Sequence, residues 1–514
     1  MNICDKVDIS RPPSFKKTKF NHDIIEILSD SSEESNLGNV NSNYDQFRLE
    51  TPIYLNELNF EKKNSKNLSF KSFFVVNDQI SIKKSSWQIK NIFFSSYIND
   101  VEWVIKEIED SELIHKNIES ILFVSHHTGN SISCKFSNHH KIRTEKISIH
   151  SPYLKVPYGV FHPKFILIVF EHLIQPKMNF IRFVITSANL IRQDWEFKSQ
   201  SIWVQDFFLT IKKKNCEFSE YLHEFLKNIL NGSKLQEFWL SKIQEFNFED
   251  ATIKLVASVP GYFFGHEMFM WGHLRVKSLL KNVIFKKINK SERSLKEQEK
   301  IILQFSSIGR ISEKWLYKEL VSSLSETPET RVEIIFPTIK QVLNSIEGIE
   351  GGGSLPVKKE YICKPWITKL LHRWGEGSID GNISTEKAIP HIKTFLKYKM
   401  FNNAVQIIWL IQGSYNLSNA AWGQLQKDKS QYCIRNYELG IFLHIDQFEF
   451  ERYDKSEKEE EFPKFVWKRK TDHSFDSKIH NNQPNKLLDI PLPFKLPPRR
   501  YSSDDIPWNI ELLM

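Results

Sequence analysis

The 514-residue sequence has only five cysteines, and Cys4, Cys134, Cys216, Cys363 and Cys433 are scattered without any C-x-x-C spacing. An odd, dispersed set builds neither a disulfide framework nor a zinc site, and it suits a reducing compartment. No uncharged apolar run approaches the ~20 residues of a membrane span, and the opening stretch MNICDKVDISRPPSFKKTKF has no apolar core of the signal-peptide kind. A soluble, intracellular protein with no membrane partner is expected. There is no H-E-x-x-H pattern and no carboxylate cluster, so no metal is called for. The glycine-rich IEGGGSLP lacks the G-K-[S/T] ending of a P-loop, so a tight, backbone-exposing loop is expected there, and no cofactor is implied.

At 40% apolar residues the chain has length for two cores of ordinary size. Its net charge of +8 suits a polyanionic partner, and suits simple solubility equally well. Residues 1–67 are rich in Asn, Ser, Lys and Glu and are expected to form a disordered arm. Within the arm, Ile24, Ile25, Ile27 and Leu28 precede an acidic run, Ser29 to Glu34. This resembles a SUMO-interacting segment that adds as an edge strand to a partner, or it is a chance apolar quartet. KKTK at Lys16–Lys19 is a short candidate for nuclear import.

Beyond the arm, strand-like and helical runs alternate. IESILFVSHH, FILIVF, FIRFVITSANL, TIKLVASVP, RVEIIFP, QIIWLIQGSYNLS and YELGIFLHI read as strands, whereas INDVEWVIKEIEDSELI and FSEYLHEFLKNILNG read as amphipathic helices. The rhythm predicts a layered α/β protein with a first domain over 68–247 and a second over 248–514, the latter carrying charged surface insertions.

One pattern occurs twice. His162-Pro163-Lys164 recurs as His391-Ile392-Lys393, and each pair is followed by a strand ending in an asparagine, Asn189 or Asn416, that opens N-L-x4-W at Trp195 or Trp422. A lone His-x-Lys is common; two copies with matched companions point to an internally duplicated unit. Residues i and i+2 of a strand share a face, so each His and Lys projects together. Packing about a pseudo-twofold axis gathers two imidazoles, two ammonium groups and two carboxamides. That inventory suits a phosphodiester: lysines and amide N–H groups hold the non-bridging oxygens, one imidazole attacks phosphorus and the other protonates the leaving oxygen. Because one chain supplies both halves, a monomer is expected.

The paired H-x-K motifs resemble the phospholipase D superfamily, whose usual pattern is H-x-K-x4-D. Here Val169 and Tyr398 stand at the aspartate positions. Loss of both aspartates with a downstream asparagine in each half resembles the tyrosyl-DNA phosphodiesterase family. Further similar segments occur in the same order, among them TSANLIRQDWEFKSQSIW, WGHLRVKSLLKN, QFSSIGR, EGGGSLP, NLSNAAWGQL, RNYELG and PFKLPPRRYSSDDIPW.

The resemblance implies two similar phospholipase D-like α-β-α sandwich domains related by pseudo-twofold symmetry. It makes His162 the nucleophile, His391 the general acid and base, and Gln200 and Glu438 their orienting partners. Since a carboxylate favours a protonated imidazole and an amide adds no charge, His391 is expected beside Glu438 and His162 beside Gln200. Lys164, Lys393, Asn189 and Asn416 hold the phosphoryl oxygens. The implied substrate is a DNA 3′ end bearing tyrosine or a peptide remnant of stalled topoisomerase I, released as a 3′-phosphate, with the nucleus as the site of action and a mitochondrial share allowed. Tyr158 occupies the place of a base-stacking aromatic, the alternative being a core aromatic at a strand edge. Ser306, Ser307, Gly309, Arg310 and Ser418 look like phosphate contacts. Asn419 stands where the family has a lysine. Trp195 and Trp422 are expected to pack, and His126, His127, His139, His140 and His273 to be structural or exposed. Two other readings of the same residues are a lipid phosphodiesterase and a non-catalytic DNA-end binder.

Overall fold

A computed structural model describes residues 48–60, 66–76, 86–111, 117–126, 132–133, 141–210, 215–284, 299–325, 327, 330–375, 387–401, 404–444, 450–452, 465, 467–469 and 487–514. The SUMO-type segment, KKTK, His127, His139, His140 and most of the two charged insertions lie outside those residues.

Two seven-stranded sheets dominate the chain. The first runs, from edge to edge, 53–55, 201–208, 180–186, 165–172, 87–96, 120–125 and 147–150; the second runs 254–258, 438–444, 404–413, 394–401, 300–304, 331–335 and 371–372. Position by position the pairing directions agree. The first four neighbouring pairs in each sheet are antiparallel and the last two parallel. The duplication suggested by the two H-x-K motifs is therefore a duplication of the whole sheet.

The unbroken apolar run FILIVF follows from burial on both faces. Phe165, Leu167 and Val169 join one apolar cluster with the helix Glu217–Ile229, while Ile166, Ile168 and Phe170 join another with the helix Val101–Glu109. Each of these side chains removed from water contributes about 1.5–3 kcal/mol. In the second sheet Leu396 and Leu410 lie in the same cluster as Leu167, and Phe395, Trp409 and Ile411 in a third with the helix Gly272–Ile284. The two sandwiches thus share their middle layer, a single core to which both sheets contribute.

Two segments cross the expected domain limits. Residues 48–60 are not part of an arm: Ile53–Leu55 forms the edge strand of the first sheet, and Arg48–Glu50 pairs in parallel with Leu487–Asp489 from the C-terminal end. Nor is 248–514 a self-contained unit. Phe465 packs in the first sheet's outer core, its N–H donates to Asp206 Oδ2 and its carbonyl accepts from Asp206 N. Asp206 in turn forms a buried bidentate pair with Arg182 at 2.7 and 2.8 Å. The low hydrophobicity of 1–67 as a whole concealed the short apolar IYL, and the charged insertion concealed Phe465.

The glycine-rich loop is also not open. Residues Gly348–Ser354 make a 3-10 segment with Gly351 and Gly352 buried, and a Cβ on Gly352 would lie 2.0 Å from the Trp508 ring. Glycine is needed there so that the C-terminal tryptophan can lie against the backbone. Among the described residues no helix is long and apolar enough to cross a membrane.

Candidate active site

His162, Lys164, His391 and Lys393 do not sit in ladder positions of their own sheets, whose strands begin one residue later at Phe165 and Thr394. The segment just before each strand is extended and pairs with the other half of the molecule. His162 N donates to Tyr437 O at 3.1 Å and Tyr437 N to Val160 O at 3.0 Å. On the opposite side Lys198–Ser199 pairs in parallel with Ile389–Pro390, and Ile392 N donates to Ser199 O at 2.7 Å. Those two short ladders put each histidine beside a residue of the partner half.

The consequence corrects the expected pairing. His162 Nδ1 lies 2.9 Å from Glu438 Oε2, and His391 Nδ1 lies 3.2 Å from Gln200 Nε2 and 3.3 Å from its Oε1. The carboxylate therefore serves the proposed nucleophile and the amide the proposed acid, the reverse of what charge logic on the sequence suggested. A carboxylate accepts, so Nδ1 of His162 carries the hydrogen and Nε2 keeps its lone pair.

Each orienting side chain is held by a serine two residues before the asparagine of its own half. Ser187 Oγ donates to Gln200 Oε1 at 2.7 Å and accepts from Ser201 N at 3.0 Å; Ser414 Oγ donates to Glu438 Oε2 and accepts from Leu439 N at 3.0 Å. The repeated S-x-N of TSANL and GSYNL was a sequence signal for both. Two other supports carried no such signal. Asn56 donates to Trp195 O and Lys198 O and accepts from Gln200 N, each at 2.8 Å, so a buried asparagine after the edge strand fixes the Gln200 turn. Asn436 donates to Glu438 Oε1 at 3.1 Å and accepts from Val160 N at 3.2 Å.

The asparagines are anchored alike. Asn189 Oδ1 accepts from Ser96 Oγ and Ile98 N, both at 3.4 Å, and Asn416 Oδ1 accepts from Ser306 Oγ at 3.1 Å and Ser307 N at 3.0 Å. Fixing the oxygen leaves the amide hydrogens for an incoming oxyanion. In the first half one of them goes to Asp194 Oδ2 at 2.8 Å. Trp195 donates its indole N–H to Asn189 O at 2.9 Å, and Trp422 is fully buried against Tyr415, so both tryptophans pack as expected.

Both lysines are buried, each donating to the carbonyl of the histidine two residues earlier, at 2.9 Å for Lys164. Burial pushes Lys164 down to about 8, and burial together with the Lys164 charge holds Lys393 well below the ordinary lysine range. Burial and the Lys164 charge also push His162 down to about 4, against the pull of Glu438. His391 is held well below its ordinary value by burial, Lys393 and Lys164. The site is thus a desolvated cluster of cationic groups in which the imidazoles stay neutral, a field that an anion relieves.

The expected nucleic-acid contacts divide. Tyr158 is 93% exposed, not a core aromatic, and its φ of 61° is left-handed. Such a backbone costs about 1–3 kcal/mol in a non-glycine residue and persists where the surroundings impose it. Here Gly159 lies so close to the Arg435 carbonyl that any Cβ would sit 2.0 Å from it. Arg310 is exposed. Ser306 is buried, and its hydroxyl donates to Asn416 Oδ1. The Ser307 N–H is likewise taken by Asn416. Gly309 is a close approach, since a Cβ would lie 2.8 Å from Ser418 Cβ, and Ser418 Oγ caps the short helix Asn419–Trp422 by accepting from Ala421 N. Asn419 donates to Gln424 Oε1 at 3.2 Å.

Tyr97 was missed. Its ring stacks on His126 at 5.3 Å, leans on His162 at 5.6 Å and lies 6.0 Å from Lys164 Nζ. His126 Nδ1 accepts from Phe161 N, so this histidine is structural, as expected, and so is His273, buried against Ser323. The superfamily's aspartate positions are absorbed by packing: Val169 lies in the shared core, and Tyr398 donates to the buried Glu333 at 2.7 Å.

Comparison with known proteins agrees with this geometry. A tyrosyl-DNA phosphodiesterase 1 of Arabidopsis thaliana is 32% identical over 401 residues, 70% of this chain and 60% of that protein. The tyrosyl-DNA phosphodiesterase 1 of Drosophila melanogaster is 27% identical over 65% of this chain and 55% of its own length, so the chain spans somewhat over half of each relative. The solved yeast tyrosyl-DNA phosphodiesterase superposes with a TM-score of 0.57 at 17% identity, covering 76% of this chain and 90% of that one. A histidine-to-alanine mutant of it reaches 0.62 at 16% identity over 89% and 99%. The family model described as Tyrosyl-DNA phosphodiesterase matches residues 61–502, which include both H-x-K motifs, both asparagines and both orienting residues. With two sheets of one topology crossing their entrance segments to complete each other's histidine, the chain belongs to the tyrosyl-DNA phosphodiesterase family.

Proposed function

We propose that the protein hydrolyses the 3′-phosphotyrosyl bond left on DNA by a topoisomerase I adduct, through a phosphohistidine and without a metal. The observation that supports this best is the pair of buried lysines flanked by two histidines whose Nδ1 atoms are both engaged. In the first step His162 Nε2 attacks phosphorus, the P–O bond to tyrosine breaks, and the phenolate oxygen takes the Nε2 proton of His391. Lys164, Lys393 and the amide hydrogens of Asn189 and Asn416 hold the non-bridging oxygens, with more effect as charge builds in the transition state. In the second step His391 Nε2 takes a proton from water, the water oxygen attacks phosphorus and the P–N bond breaks. The products are a 3′-phosphate and free His162.

The exposed Tyr158, on the loop leading to His162, supports single-stranded DNA as the ligand on that side, by stacking on a base. Nuclear action and SUMO binding through Ile24–Leu28 belong to the same reading and are tested by localisation and by titration of a 20–36 peptide with SUMO. The chemical test is incubation with a 3′-phosphotyrosyl oligonucleotide in EDTA. Tyrosine release is expected from the wild type, no release from His162→Ala, and a trapped protein–DNA adduct from His391→Asn. Turnover by His162→Ala, or activity on lipid vesicles alone, overturns the proposal.

A further inference from the structure

His391 is served by a neutral amide, yet the acid it has to become carries a charge. Gln200 Nε2 donates to Asp194 O at 3.0 Å and Gln200 Oε1 accepts from Ser187, which fixes the amide with its oxygen as the group able to accept from His391 Nδ1. A second acceptor faces the same atom. Asp194 Oδ2 lies 3.4 Å from His391 Nδ1, is buried, and accepts from Asn189 N and Nδ2 at 2.8 Å each. The second half has no counterpart, because Ala421 stands five residues after Asn416 where Asp194 stands five after Asn189.

We propose that Asp194 is the positioning residue of the acid step, the countercharge that accepts the Nδ1 hydrogen of His391 while its Nε2 proton passes to the leaving oxygen. This rests on the phosphodiesterase reading above. The duplicated scaffold supplies each histidine with one carboxylate: Glu438 from the other half to His162, and Asp194, likewise from the other half, to His391. The charges around His391 show why one is needed. Lys393, Lys164, His162 and Lys198 all oppose its protonation, Lys198 being partly balanced by Glu347 at 2.5 Å, and Glu438 is bonded to His162. Asp194 is the carboxylate placed against the ring itself. Burial raises the Asp194 carboxyl above its ordinary range, and the two N–H donors on one oxygen, with Lys198 and Lys393 near, oppose that rise; the anion gains further when a cationic imidazole forms beside it. When the bound phosphodiester adds negative charge and His391 protonates, the 3.4 Å contact shortens into a charge-assisted hydrogen bond. Loss of the phenolate then returns the ring to neutrality with Nδ1–H still held, so His391 is correctly oriented to take a proton from water in the second step.

The test compares two leaving groups on one oligonucleotide, a 3′-phosphotyrosine, whose phenol needs a proton, and a 3′-(4-nitrophenyl) phosphate, whose leaving group needs almost none. Asp194→Asn is expected to slow tyrosine release by about 10²-fold, while release of nitrophenol in the first turnover falls by only a few-fold and the adduct accumulates. The alkaline limb of kcat should move to lower pH, because removing an anion makes His391 easier to deprotonate. Asp194→Glu should restore part of the rate of tyrosine release and so narrow the gap between the two leaving groups. Asn189→Ala, by contrast, should slow both substrates equally. Equal losses on both substrates in Asp194→Asn with an unmoved pH limb, or no loss at all, overturn the proposal and leave Asp194 an anchor for Asn189 only. Where Asp194→Asn fails to fold, Asp194→Ser is read on the same two substrates, and a ratio of the two rates equal to wild type overturns the proposal. If the wild type releases neither leaving group, the phosphodiesterase reading itself fails, and this one with it.

Discussion

His162 and His391 stand at equivalent places before the central strands of two sheets that agree in order and direction, yet their surroundings differ in charge. His162 has Glu438 at 2.9 Å; His391 has the amide of Gln200 at 3.2 Å, with Asp194 slightly farther away at 3.4 Å. The scaffold repeats the placement of serine, asparagine, lysine and histidine. Two substitutions within the repeat, Gln200 against Glu438 and Asp194 against Ala421, give the two imidazoles different partners. Duplication supplies symmetry of position, and single residues break it into two imidazoles with different partners.

The largest way to break that comparison is to neutralise its tighter side. Glu438→Gln is expected to lower single-turnover formation of the DNA adduct by about 10²–10³-fold, while hydrolysis of adduct already formed changes much less, as rapid-quench measurement would show. If adduct formation and hydrolysis slow together, Glu438 does not act on His162 selectively. Next in size is Asn56→Ala, which removes the staple behind Gln200 and leaves Trp195 O, Lys198 O and Gln200 N without a partner. A loss of about 1–3 kcal/mol in stability, with kcat reduced more than KM, is expected from denaturant unfolding and steady-state kinetics. The same substitution in a Gln200→Ala background should cost kcat little more.

A third prediction uses the lysines. With Lys164 pushed down to about 8 in the free enzyme, its charge is full below that pH and lost above it, so kcat/KM should fall on the alkaline side near pH 8. The phosphodiester raises lysine again in the complex, so the corresponding limb of kcat should lie higher. Lys164→Arg keeps its charge and should remove the limb from kcat/KM at the expense of overall rate; a limb that stays in place assigns it to another group. The smallest effect concerns Tyr158. Tyr158→Gly removes a left-handed tyrosine and is expected to stabilise the fold by up to about 1 kcal/mol while weakening single-stranded DNA binding by about 1–3 kcal/mol. Unchanged affinity in fluorescence anisotropy would dissociate Tyr158 from the DNA path.

Much of the fold was legible because its elements carry period and length signals. FILIVF reads as a buried strand and FSEYLHEFLKNIL as a one-sided helix, and the structure has both. What failed were short or distant contributions: the three-residue IYL strand in an otherwise polar arm, and Phe465 returning to the first core from within a charged stretch. In the site, His, Lys and Asn were legible because they repeat. Ser187 and Ser414 repeat as well and could have been found. Asn56, Tyr97 and Asp194 do not repeat, and nothing local distinguishes a buried, triply bonded asparagine from the other asparagines of this asparagine-rich chain.

By itself the sequence determined that there are two copies of one His-x-Lys and asparagine unit, which side chains each copy brings, and where the copies differ. Those are properties of residue identity and spacing along a strand. Only the tertiary structure decided which partner faces which histidine. The segments before the two central strands leave their own sheets and pair across the molecule, His162 with Tyr437 and Ile392 with Ser199, so that each histidine is completed by the other half. Spacing along one chain carries no signal for such a crossing, because it is set by how two sheets close on a shared core.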